Sequence, residues 1–115
     1  MSYLLLILEP AGQREARTVE ERRGAYQRMR NYAQRLKEQG VLLATESLRT
    51  GGARLDMRAG RPSVLDGPFT ESKEIVGGFF LLDCPTREQA LRLAGDCPAA
   101  EWATIEVRET GACHE

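Results

Sequence analysis

The sequence predicts an α+β fold in which a small sheet carries two helices on one side. Three observations point there. Short apolar runs of strand length fall at residues 2–9, 41–48 and 75–84. Two stretches with helical spacing each open on a capping-box signature. The elements alternate as β-α-β, a hairpin, then β-α-β.

Ser2 to Glu9 (SYLLLILE) is an aliphatic run that reads as a buried strand, broken by Pro10, Gly12 and the polar residues after them. Thr18 and Glu21 have the T-x-x-E spacing that satisfies free amides at a helix start. Tyr26, Met29, Ala33 and Leu36 then recur every three or four residues, so one stripe is apolar. Gly40 stands where a left-handed residue ends a helix. The first helix therefore spans about Val19 to Gln39, ~30 Å at ~1.5 Å per residue. Val41 to Leu48 is a second strand. Ala53 to Arg58 and Arg61 to Leu65 form a hairpin around Ala59-Gly60, with Pro62 confining its second arm to an edge. Asp66-Gly67-Pro68-Phe69 is a turn. Ile75 to Cys84 (IVGGFFLLDC) is the strongest strand, stopped by Pro85. Thr86 and Gln89 open a second helix, about Arg87 to Asp96, and Pro98 ends it. Thr104 to Arg108 alternates and closes the fold. Two β-α-β halves of this kind give a ferredoxin-like β-α-β-β-α-β sheet, here with an inserted hairpin.

Composition bounds the function. The chain has 115 residues, room for a single domain over 1–115, with a core at about 3–109 and a tail at 110–115. The 42% hydrophobic and 29% charged content is that of a globular protein and argues against disorder. Sixteen Lys+Arg against 17 Asp+Glu leave no basic excess for a nucleic-acid partner. The longest apolar run, Tyr3 to Leu8, is too short for a bilayer and lacks a charged leader, so a cytoplasmic location is expected. Cys84, Cys97 and Cys113 are odd in number and match no C-x-x-C pair. The only histidine is His114, which leaves no histidine inside the fold for a triad or a multi-histidine metal site. No metal and no cofactor is expected.

Both faces of two strands are apolar: Ile75, Gly77, Phe79 and Leu81 against Val76, Gly78, Phe80 and Leu82, and likewise Leu4, Leu6 and Leu8 against Tyr3, Leu5 and Ile7. Such strands need cover on both sides. Two helices cover one, so a second copy of the chain is expected on the other, in a closed twofold homodimer. Two sheets packed this way can enclose a cavity, and Glu46, which shares a strand face with Leu42, Ala44 and Leu48 on simple alternation, is the polar residue expected to mark it.

Asp66 to Glu74 (DGPFTESKE), followed by Gly77-Gly78-Phe79-Phe80, closely resembles the DGPF motif of the YCII-related family. Tyr3 to Ile7, Gly40 to Leu48, Cys97 to Ala100 and Ile105 to Arg108 extend the likeness over about 3–109. The resemblance implies a dimeric α/β-barrel of ferredoxin-like protomers. It implies that a few relatives are dehydrochlorinases of small chlorinated aromatic compounds, and that another branch is associated with extracytoplasmic-function sigma factors. Some members carry a His-Asp pair; here Asp66 matches the aspartate and no histidine precedes residue 114.

Asp66 is a general acid or base, or the residue that caps its own turn. Glu46 is the second catalytic candidate, or an acid that pairs with an arginine or caps a backbone group. Lys73 and Glu71 are candidates for substrate binding, or members of a solvated charged loop. Gly77-Gly78 reads as a bulge or a place of close approach, not as a phosphate loop. Cys84 and Cys97 read as small buried apolar residues. Arg22, Arg23, Arg28, Arg30 and Arg35 read as the solvated face of the first helix. Two functions remain open. One is a cofactor-free lyase or isomerase acting on a small molecule. The other is a non-catalytic ligand-binding or regulatory module, docking on a partner such as a sigma factor.

Overall fold

The computed structural model describes residues 1–67, 69 and 72–114. Among the described residues, six strands and three α-helices follow one another as β1 (Ser2–Pro10), α1 (Gln13–Ala16), α2 (Val19–Glu38), β2 (Leu42–Ser47), β3 (Ala53–Asp56), β4 (Ser63–Asp66), β5 (Glu74–Asp83), α3 (Arg87–Gly95) and β6 (Thr104–Glu109). A 3₁₀ turn at Pro98–Glu101 joins α3 to β6. Four strands pair antiparallel in the order β2-β5-β1-β6, the ferredoxin-like order, while β3 and β4 form a separate two-stranded ribbon. The fold is thus α+β, as the pattern predicts.

Local chemistry sets the boundaries. Thr18 Oγ1 accepts from the Glu21 amide at 3.1 Å, and Glu21 accepts from the Thr18 amide at 2.9 Å, so the predicted capping box of α2 is complete. Those bonds hold the Glu21 carboxyl below its usual range. At the other end Gly40 takes φ 73°. Its amide bonds Lys37 O and that of Val41 bonds Leu36 O, the paired closure of a helix terminus. Thr86 caps α3 through the Gln89 amide at 3.1 Å. The hairpin turns where expected, with the Gly60 amide on Met57 O at 2.9 Å.

The core lies between the sheet and its helices. Tyr3, Leu5 and Ile7 of β1 and Phe80 and Leu82 of β5 meet Tyr32 and Leu36 of α2 and Ala90, Leu93 and Ala94 of α3. Tyr32 stands edge-on to Phe80, with centroids 5.2 Å apart, and its buried hydroxyl donates to Leu93 O at 2.6 Å. That burial pushes the phenol well above its usual pKa. Cys84 and Cys97 are buried and free, their thiols raised by desolvation.

Both faces of β1 are apolar as read. Leu4, Leu6 and Leu8 alternate with the core residues and face away from the helices, opposite Leu81, Phe79 and Val76 of β5. They remain half-buried. The register corrects one expectation. A bulge between Leu42 and Ala44 breaks the alternation of β2, so Leu42 opposes the core residue Leu82 while Ala44 and Glu46 oppose Leu81 and Phe79 on the open face. Glu46 therefore does not share a face with Leu42, and it is exposed.

Candidate functional site

The strand alternation of β1 runs past its apolar residues to Glu9. Tyr3, Leu5, Ile7 and Glu9 point to the helix side, and Glu9 is 4% exposed. A carboxylate so placed needs a partner. Gly12, at φ 83°, turns the chain into α1, which returns Arg14 toward the strand. Arg14 Nε lies 2.6 Å from Glu9 Oε1. The rest of the guanidinium is used as well: Nη1 donates to Leu48 O at 2.5 Å and Nη2 to Gly77 O at 2.8 Å. Arg14 thus ties β1 to the end of β2 and to β5.

Gly77 makes this possible. The β1–β5 register skips at this point, with Ile7 opposite Gly78 and Leu8 opposite Val76, so Gly77 is the bulged residue. A Cβ on Gly77 would come 2.6 Å from Glu9 Oε1 and 2.8 Å from Arg14 Nη2. One on Gly78 would come 2.8 Å from Glu46 O. Each glycine marks a close approach, and the first one seats the buried ion pair.

Around the pair, α2 and the β2 half of the sheet leave a cleft of about 620 Å³. Its floor includes Ile7, Glu9, Thr45, Gly77 and Phe80; Tyr26, Met29 and Ala33 of α2 form one wall, and Trp102 closes an end. Arg17 stacks on Trp102 at 5.2 Å from the ring centroid, and Gln13 Nε2 donates to Trp102 O at 2.9 Å. Burial pushes the Glu9 carboxyl up; the nearby Arg14 and Arg17 oppose that shift without cancelling it. A carboxyl held above its usual range inside a cleft is a candidate proton-transfer group.

Of the residues singled out from sequence, Glu46 borders this cleft from β2. Asp66 is exposed at the end of β4, and Lys73 is exposed just before β5; both lie outside the cleft lining. Glu71 falls outside the described residues. Glu9 and Arg14 are not among the candidates that the sequence marks. The signal for Glu9 was present, since it continues the inward set Tyr3, Leu5, Ile7. Arg14 had no comparable signal, because a four-residue helix has no periodicity to read.

A four-stranded antiparallel sheet with its helices on one face and a carboxylate-floored cleft beneath them defines the class of fold. The chain belongs to the YCII-related domain family, whose model matches residues 1–110. An uncharacterized protein, R00369 of Rhizobium meliloti (strain 1021), is 44% identical over 61 residues, which cover 51% of this chain and 49% of that protein. The match thus spans about half the length of that curated relative. Among solved structures, 5-chloro-2-hydroxyhydroquinone dehydrochlorinase from Burkholderia phenoliruptrix AC1100, in complex with 2,5-dihydroxybenzoquinone, is similar with a TM-score of 0.52. The likeness covers 99% of this chain and 97% of that one at 16% identity, and is one of fold. Among the described residues, no helix is long and apolar enough to cross a membrane.

Proposed function

We propose that this protein is a cofactor-free enzyme of the lyase or isomerase type acting on a small molecule. Glu9 is the proton-transferring group and Arg14 its positioning partner; Glu46, on the open-face side of β2, takes no part in the step. The observation that carries this reading is a carboxylate, 4% exposed and raised in pKa, on the floor of a cleft of about 620 Å³. Sites for small ligands ordinarily enclose about 300–1,000 Å³ with a few convergent polar groups. In the proposed step the Glu9 carboxylate removes a proton from a saturated carbon next to a carbonyl, or from a ring hydroxyl. The electron pair then moves into the conjugated system. Either the proton returns at another carbon, or a leaving group departs with its electrons. The dehydrochlorinase chemistry of the structural relative is of this general kind, an elimination from a small ring. Asp66, on the ribbon, has no part in the step.

The open sheet face has a separate role. We propose that a second copy of the chain covers Leu4, Leu6, Leu8, Val76, Phe79 and Leu81, which leaves the cleft of each protomer on its outer, helix side. A stable pairing buries roughly 800 Å² per partner.

The test of the catalytic reading is proton exchange in D2O, followed by NMR over a panel of small cyclic ketones and phenols. The expected outcome is enzyme-dependent exchange in at least one compound, abolished by Glu9→Gln without loss of fold. Exchange that survives in Glu9→Gln would contradict the assignment.

A further inference from the structure

We propose that the cleft recognises an anion: a small single-ring molecule bearing a carboxylate or comparable negative group. Arg22 and Arg30 hold the charge, and the apolar body rests on Met29, Phe80 and Trp102. This inference rests on the reading of that cleft as the substrate site.

The five arginines of α2 are all exposed, as the sequence predicts, but they differ in their partners. Arg28 forks onto Glu101 at 2.7 and 2.9 Å, and Arg35 stands over the Tyr32 ring at 5.9 Å. Arg22 and Arg30 instead border the cleft, two helical turns apart on the side that carries Tyr26 and Met29. Among the described residues their side chains make no ion pair and no hydrogen bond. Arg14 is consumed by Glu9 and two carbonyls, and Arg17 by Trp102.

Four arginines therefore border one cleft against Glu9 and Glu46, in a chain whose formal net charge is -1. The positive excess is local. Concave walls of low dielectric concentrate such a field and draw in a ligand of opposite sign. Guanidinium groups match the planar geometry of a carboxylate. The apolar lining selects for a hydrocarbon body, which an inorganic anion lacks.

The test is titration with benzoate, its neutral analogue benzamide, and inorganic phosphate at low salt. Calorimetry and the fluorescence of Trp102, the sole tryptophan, report binding. Benzoate is expected to bind at least about tenfold more tightly than benzamide or phosphate, the scale of one charge-assisted contact. The double variant Arg22→Gln, Arg30→Gln should lose that preference, and Arg22→Lys, Arg30→Lys should recover part of it. Glu9→Gln should keep the preference while losing exchange, so the two readings fail separately. Equal affinity for benzoate and benzamide, phosphate binding as tightly as benzoate, or an unchanged preference in the glutamine double variant would overturn the proposal.

Discussion

The Glu9–Arg14 pair exists because residue 77 has no side chain. Glycine in a strand ordinarily weakens it, yet here the space a methyl would fill is occupied by Glu9 Oε1 at 2.6 Å and Arg14 Nη2 at 2.8 Å. Gly77→Ala is therefore expected to displace the pair and destabilise the fold by about 1–3 kcal/mol, the range for overpacking a filled site. Gly24 is the contrast: it lies in the exposed part of α2, and a Cβ there meets nothing within 4 Å. Gly24→Ala should stabilise by about 0.5–1 kcal/mol. Chemical denaturation of the two variants checks both signs. The sequence alone marked Gly77-Gly78 as a bulge or a close approach, and both hold for Gly77. What it lacked was the identity of the approaching groups, because Arg14 reaches this strand only through a left-handed turn at Gly12.

Among the elements, β1 carries two surfaces with different duties. Its Tyr3, Leu5, Ile7, Glu9 side builds the core and the cleft floor, and its Leu4, Leu6, Leu8 side faces away from the helices and is the surface proposed to pair with a second copy. The two-faced apolar pattern was legible because strand alternation is local and β1 keeps it throughout. In β2 the same rule misplaced Leu42 relative to Glu46, since a one-residue bulge inverts every side chain beyond it and only the partner strand reveals the slip. Likewise, the arginines of α2 looked alike in sequence; Glu101, Tyr32 and the cleft distinguish them. In analytical ultracentrifugation at micromolar concentration the protein should sediment at twice its 12.8 kDa chain mass. Leu6→Lys, which sets a charge in the centre of the open face, should shift it to the single-chain mass with the helix content intact. A wild-type protein at the single-chain mass would remove the proposed dimer.

For the whole molecule, the order of elements and the ferredoxin-like sheet were readable because capping boxes, apolar runs and prolines act locally and agree with one another. The cleft was not readable, because it depends on how α2 lies across the β2 half of the sheet. The cleft also couples the site to global stability. A carboxyl whose pKa is raised on folding binds more protons in the native state than in the unfolded one. Its contribution is therefore complete at low pH and is lost as pH rises from the solvated glutamate value through the folded value. Glu9→Gln should flatten that part of the stability curve. The most direct test of the central claim, that a desolvated and proton-transferring carboxyl lies beneath α2, is titration of the Glu9 side-chain carbon by NMR in the folded protein. The account predicts a midpoint above that of a solvated glutamate. A midpoint at or below that value would contradict it.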